Sequence, residues 1–202
     1  MLRQVGEHHE VVSNGVFLMD TRDGRSERAL VAAALDARPD ARRLLIGGLG
    51  VGFSLREAVA ATLLQHIDVV EIEQHLVSWH GTHLRHLTGD ALADPRVHIV
   101  VTDVLEHLGA NPERYDVICL DVDNGPDWTV TAANTALYAA TGVDVATDAL
   151  RPGGVLAVWS AHRSEPYARL LAERLDDVRA VEVEARLARG EPDVVYLGQR
   201  PG

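Results

Sequence analysis

Acidic residues recur at one kind of place in this sequence, just after short runs of aliphatic residues. Val69-Val70 leads into Glu71-Ile72-Glu73, Val97-His98-Ile99-Val100-Val101 into Thr102-Asp103, and Val117-Ile118-Cys119-Leu120 into Asp121-Val122-Asp123. A further run, Leu44-Leu45-Ile46, leads instead into the glycines Gly47, Gly48, Gly50 and Gly52. Glycines in a strand-to-helix turn allow positive φ angles and let a ligand approach backbone N–H groups without interference from a Cβ. A carboxylate about 20 residues further on, at the end of the next strand, can accept both hydroxyl hydrogens of a ribose. Glu71 is the first candidate for that role and Glu73 the second. Asp103 could accept from an adenine amino group, or simply N-cap the helix that begins at Val104. Asp121 and Asp123 end a central strand, where a carboxylate can take a proton from a reacting group. A glycine turn by itself is a weak signal, but three acidic strand ends beside one such turn form a constellation.

The elements that would position these residues follow from the spacing. Strands are expected at Leu44–Gly47, Asp68–Ile72, Val97–Val101, Val117–Asp121 and Val155–Ser160. Helices are expected near Ser54–Leu64, Gln74–Leu87, Val104–Leu108, Asn134–Leu150 and Glu165–Leu175. This alternation predicts a parallel sheet wrapped by helices, an α/β Rossmann-like doubly wound fold. The helix after the glycines carries a capping-box spacing, Ser54 to Glu57. Val11-Val12-Ser13, Asn14-Gly15 and Val16-Phe17-Leu18 predict an N-terminal β-hairpin, and a helix over Ser26–Ala37 follows it. Ala180–Leu187 and Val194–Leu197, joined across Arg189-Gly190-Glu191-Pro192, predict a closing antiparallel pair. Residues 1–40 are read as hairpin and helix, and residues 41–202 as the nucleoside-binding catalytic domain.

Composition narrows the function. The chain has 202 residues, 47% hydrophobic and 24% charged, with 19 Lys and Arg against 30 Asp and Glu for a net charge of −11. That balance disfavours nucleic acid as a partner and suits a cationic or neutral small molecule. No run of 18 apolar residues occurs, so no membrane partner is expected and a cytoplasmic location is. The single cysteine, Cys119, lies in an apolar run and reads as a buried, inert thiol. His80, His83 and His86 stand three apart on an expected helix and could share a face around a metal; no carboxylate accompanies them, and the reading taken is a polar helix face, with no metal. Trp128, within the acidic loop, could cover a cationic substrate or anchor the loop. The N-terminal hairpin offers strands that could pair across a homodimer.

On these residues the sequence resembles the spermidine synthases and their spermidine-synthase-like relatives. The resemblance is carried by Ile46-Gly47-Gly48-Leu49-Gly50-Val51-Gly52 with Leu55-Arg56-Glu57, by Val70-Glu71-Ile72-Glu73, by Asp94-Pro95-Arg96-Val97 leading to Asp103, by Tyr115 through Asp121, and by Leu150-Arg151-Pro152-Gly153-Gly154. It implies Glu71 on the ribose hydroxyls, Asp103 near the adenine amino group and Asp121 beside an attacking amine, with Tyr138 matching a tyrosine after the active-site loop. It also implies a donor of the S-adenosylmethionine type, intact or decarboxylated, and a small-molecule amine acceptor. Val51 stands where the family places an aspartate in the glycine loop, and Asp121-Val122-Asp123-Asn124-Gly125 where it reads Asp-Ser-x-Asp-Pro. The expected activity is therefore alkyl transfer, aminopropyl or methyl, from a sulfonium donor to an amine. Methyl transfer to a small molecule, a non-catalytic nucleoside-binding protein and an NAD-dependent dehydrogenase are the alternatives.

Overall fold

The computed structural model describes residues 1–13, 15–129, 134–184 and 191–202. Its centre is a seven-stranded sheet whose parallel part holds β4 (Arg43–Gly47), β5 (His66–Glu71), β6 (Val97–Val101), β7 (Tyr115–Leu120) and β8 (Leu150–Ser160). β9 (Asp176–Val183) and β10 (Asp193–Gln199) complete it, in the order β6-β5-β4-β7-β8-β10-β9, with β10 antiparallel to both neighbours. Successive strands step outward from β4 to β6, and the chain then returns to β4's other side to lay down β7. The carboxyl ends of β4 and β7 thus flank a switch point, where an open α/β sheet leaves room for a ligand.

Period-two alternation divides the core between the two faces of the sheet. Ile46, Ile67, Val69, Cys119, Ala157 and Val195 pack with Leu30, Val31 and Ala34 of α1 (Arg25–Ala37) and with Leu55 and Ala58 of α2 (Phe53–Ala60). Leu45, Val70, Ile118, Leu120 and Val158 face the other way, against α5 (Val104–Gly109), α7 (Ala140–Ala149) and α8 (Glu165–Ala172). Cys119 is fully buried, and desolvation raises its thiol well above the ordinary value.

Several boundaries differ from the sequence expectation, each for a visible reason. The N-terminal region has three antiparallel strands, β1 (Leu2–Val5), β2 (His8–Ser13) and β3 (Val16–Asp20). Ser13 pairs with Val16, as a two-residue turn requires, while Asn14 itself lies outside the described residues. α2 stops at Ala60 because the Arg96 guanidinium takes the carbonyls of Val59, Ala61 and Leu64. The capping box is absent: Gly52 is the N-cap, and Ser54 Oγ donates to the Glu27 carbonyl. The helix expected over Gln74–Leu87 breaks at Gly81 into α3 (Gln74–His80) and α4 (Arg85–Thr88). The one over Asn134–Leu150 becomes α6 (Thr135–Tyr138) and α7, because a Cβ on Gly142 would stand 2.2 Å from the Ala136 carbonyl oxygen and only glycine admits that packing. Residues 185–190, which include the end of the expected Ala180–Leu187 strand and the Arg189-Gly190 turn, lie outside the described residues.

Candidate active site

The glycine turn is built by backbone contacts that exclude side chains. Gly48, Gly50 and Gly52 have φ of +92°, +51° and +93°. A Cβ on Gly48 would stand 2.3 Å from the Asp121 carbonyl oxygen, and one on Gly52 2.4 Å from Thr88 Cγ2. Gly47 accepts a 2.8 Å hydrogen bond from the Asp121 N–H, and Gly48 donates to the Val70 carbonyl. The turn is thereby stitched to the ends of both adjacent strands.

Glu71 closes that stitching. It is only 7% exposed, although it ends a strand at the rim of the sheet. Its Oε2 accepts from the Leu49 N–H at 2.9 Å and its Oε1 from the Glu73 N–H at 2.8 Å. Burial pushes its carboxyl above the ordinary range, and the N–H groups of Glu73, Leu49 and Gly50 pull it part of the way back. Glu73 is the N-cap of α3, accepting from the His75 N–H. Asp103 caps α5 with Oδ1 alone, accepting from Leu105 and Glu106. Ile72, 67% exposed between the two glutamates, presents an apolar surface at the same rim.

Across the switch point, the first residues after β7 are held by hydrogen bonds. Tyr138 Oη donates to the Val122 carbonyl, Asn134 donates to Asp123 Oδ2, and the Asn124 N–H donates to Asp123 Oδ1. Asp123 itself takes a left-handed φ of +64°. Gly125 is pressed so closely on Ser160 that a Cβ would lie 2.4 Å from its Oγ. Asp123 therefore braces the loop. The Asp121 carboxylate is different: it accepts no hydrogen bond from any described residue, and it faces a cleft of about 380 Å³.

The cleft brings together residues that sequence reasoning had not grouped. Asp121, Trp159 and Asp193 continue the face of Cys119, Ala157 and Val195, so adjacent strands deliver them to one side of the sheet, beneath the first turn of α1, where Glu27 stands. Asp20, Asp23, Glu184 and Glu191 add further acids to the walls. The arginines there pair with two of these acids, Arg22 with Asp20 (and with Glu10) and Arg25 with Asp23, and neither is bonded to Asp121 or Glu27 among the described residues. Burial raises the Asp121 carboxyl above the ordinary carboxylate range, and repulsion from Glu27 and Asp193 raises it further. Glu27 is raised likewise, by burial first and then by Asp193 and Asp23. Period-two parity along the strands was the available signal for Trp159 and Asp193; Glu27 had none. Trp128 is 52% exposed on the cleft wall, stacked on His162 at 6.4 Å.

The three histidines do not share a face. His80 is 1% exposed beneath the glycine turn with its Nε2 2.9 Å from the Gly50 carbonyl, which corrects the polar-face reading for that residue. His83 and His86 turn instead towards His9 of β2, with ring centroids 6.4 and 5.9 Å away. Val51 is buried with Phe53, Leu76 and Leu84.

A doubly wound sheet with a glycine turn at its switch point and a buried acid on the next strand end defines an open α/β protein of the kind that leaves a ligand crevice at the carboxyl ends of its strands. The family model described as "Spermine/spermidine synthase domain" matches residues 25–176, and the chain belongs to that family. Among curated relatives, "Polyamine aminopropyltransferase 2" of Pseudomonas aeruginosa is 33% identical over 149 residues, 70% of this chain and 41% of its own length. The "Polyamine aminopropyltransferase" of Aeropyrum pernix is 30% identical over 164 residues, 76% of this chain and 51% of its own. The chain thus spans about half, or less, of the length of these relatives. The crystal structure of spermidine synthase from Thermotoga maritima superposes with a TM-score of 0.78 at 16% identity, covering 98% of this chain and 72% of that one, which bears out the fold.

Proposed function

We propose that the protein transfers an alkyl group, the aminopropyl group of decarboxylated S-adenosylmethionine, to the nitrogen of a small-molecule amine. The observation that carries this reading is the Asp121 carboxylate, without a hydrogen-bond donor among the described residues, beside the glycine turn and in an acid-lined cleft. Unneutralised carboxylates of that kind favour an ammonium ligand. The names of the curated relatives support the aminopropyl group as the one moved.

In this reading the donor lies along the rim from β6 to β4. Glu71 accepts from the ribose hydroxyls with the lone pairs its backbone partners leave, Asp103 accepts from the adenine amino group with Oδ2, and Ile72 packs on the base. Gly47, Gly48, Gly50 and Gly52 let the sulfonium end approach the backbone, at the switch point beside Asp121. A sulfonium carbon is already electrophilic, so the protein's main task is to align the amine in line with the breaking C–S bond. Such alignment lowers a barrier by about 7–11 kcal/mol in favourable cases. Asp121 stabilises the positive charge that develops on the attacking nitrogen, and Trp128 provides an aromatic wall. Val51 leaves the donor's amino end without the acid that family members carry in the glycine loop. No helix among the described residues is long and apolar enough to cross a membrane.

The test is calorimetric titration with methylthioadenosine, S-adenosylmethionine, its decarboxylated form and NAD in parallel, followed by an assay for methylthioadenosine release from the decarboxylated donor plus 1,4-diaminobutane. Binding of the decarboxylated donor and amine-dependent release are expected. Binding of NAD in their place, or tight nucleoside binding without transfer to any amine, would overturn the reading.

A further inference from the structure

An ammonium ion cannot attack carbon until it loses a proton, and the cleft holds two carboxylates suited to receive one. Asp121 approaches from the end of β7, and Glu27 from the first turn of α1. Glu27 is held in register with the glycine turn. Gly24 is packed so tightly on the Phe53 ring that a Cβ would lie 2.2 Å from its Cγ, and Ser54 Oγ donates to the Glu27 carbonyl at 3.2 Å. Phe53 and Ser54 open α2, the helix that follows the turn, so a donor seated on the turn has Glu27 at a fixed offset. The Glu27 side chain accepts from Ser26 Oγ on Oε2 at 3.2 Å and from its own backbone N–H, and neither donor is a charged group.

The pair stands among carboxylates. Asp193 faces Glu27 from β10 and Asp121 from β7, and Asp23 precedes it on the approach to α1, paired there with Arg25, while Arg22 is engaged by Asp20 and Glu10. The wall of the same cleft also carries an unsatisfied polar side chain. Asn124 is 9% exposed, and its Nδ2 has no hydrogen-bond partner among the described residues. Buried polar groups are seldom left so; a ligand atom with a lone pair would meet the open amide, as an ammonium would meet the crowded acids.

We propose that Glu27 is the group that takes the proton from the attacking amine, as one half of a pair with Asp121; this rests on the alkyl-transfer reading above. The division of labour follows from position. Asp121 lies beside the glycine turn, next to the donor's positive sulfur, whose field keeps it ionised. Glu27 stands on the helix across the cleft, where burial first, and then Asp193 and Asp23, favour its protonated form. One ammonium proton moves to Glu27 and frees the lone pair. The nitrogen forms the C–N bond as the C–S bond breaks, and the pair of electrons in that bond goes to sulfur. The products are a neutral thioether and a secondary ammonium ion, and the proton on Glu27 leaves to solvent.

The experiment reads protons as well as turnover. 1,4-Diaminobutane is titrated into the protein saturated with methylthioadenosine, in two buffers of different ionisation enthalpy. At neutral pH the crowded pair retains a proton, and the entering cation expels it, so release of about one proton per site is expected. Glu27→Gln should abolish that release and weaken amine binding about tenfold, with methylthioadenosine affinity unchanged. In single turnover with the decarboxylated donor it should slow transfer by about 10²–10⁴-fold and remove the acidic limb of the pH profile, and Glu27→Asp should restore part of the rate. Wild-type proton release in Glu27→Gln, or wild-type transfer by it, would overturn the role of Glu27 and leave the transfer reading standing. A wild-type protein that binds the amine with proton release yet transfers nothing would remove the transfer reading and leave Glu27 as an amine-binding group. No amine binding by the wild type would remove both.

Discussion

The Asp121 carbonyl oxygen lies 2.3 Å from the point where a Cβ on Gly48 would stand, and Gly48 holds a φ of +92°. The first parallel strand and the strand across the switch point therefore meet through a residue that must be glycine. Gly48→Ala combines left-handed backbone strain with a backbone clash, and should cost at least about 1–3 kcal/mol of stability. Because the displaced atom belongs to Asp121, transfer activity should fall further than the loss of folded protein accounts for. Urea denaturation and single-turnover rate on one preparation check this, and an unaltered denaturation midpoint would contradict the packing described.

Glu71 is expected to do two things at once. Glu71→Ala removes the acceptor for the Leu49 and Glu73 N–H groups as well as that for the ribose, so it should lower stability by about 1–3 kcal/mol. It should also weaken methylthioadenosine binding by about 1.5–3 kcal/mol, measured by calorimetry where the variant is folded. Glu73→Ala should lose only a helix cap, about 0.5–2 kcal/mol, with nucleoside affinity nearly unchanged. Equal affinity losses in the two variants would count against Glu71 as the ribose residue.

Asp121→Asn separates chemistry from structure by the sign of its pH dependence. The folded-state carboxyls of Asp121 and Glu27 are raised, so between the ordinary carboxylate range and the raised one the folded chain holds more protons than the unfolded chain. Their contribution to stability is then fully present at low pH and is lost as pH rises through that window. Removing one of the two charges should raise the melting temperature above neutrality, with the difference shrinking towards the ordinary carboxylate range, while turnover drops by about 10²–10⁴-fold. A melting temperature lowered at every pH would make Asp121 a loop brace like Asp123.

Exhaustive chelation should leave both nucleoside binding and transfer intact, since the donor supplies its own electrophile. Rate loss reversed by added zinc would overturn this and direct attention to His83 and His86.

The sequence by itself determined the parallel sheet, because alternating aliphatic runs and helical stretches leave one economical way to bury both faces. It also placed the glycine turn and the acids Glu71, Asp103 and Asp121, since a strand end is visible as the point where an apolar run stops. Only the tertiary structure decided what each acid is tied to. Glu71 reads as a solvated charge until the turn folds back onto it, and Asp123 looks equivalent to Asp121 until Asn134 and the Asn124 N–H take its oxygens. His80 passes for one of three surface histidines until Gly81 ends its helix and the Gly50 carbonyl claims its ring. Glu27 and Asp193 lie 94 and 72 residues from Asp121 along the chain, and no local pattern joins them. Their proximity comes from strand order and from the packing of Gly24 on Phe53, long-range contacts that spacing along a chain does not encode.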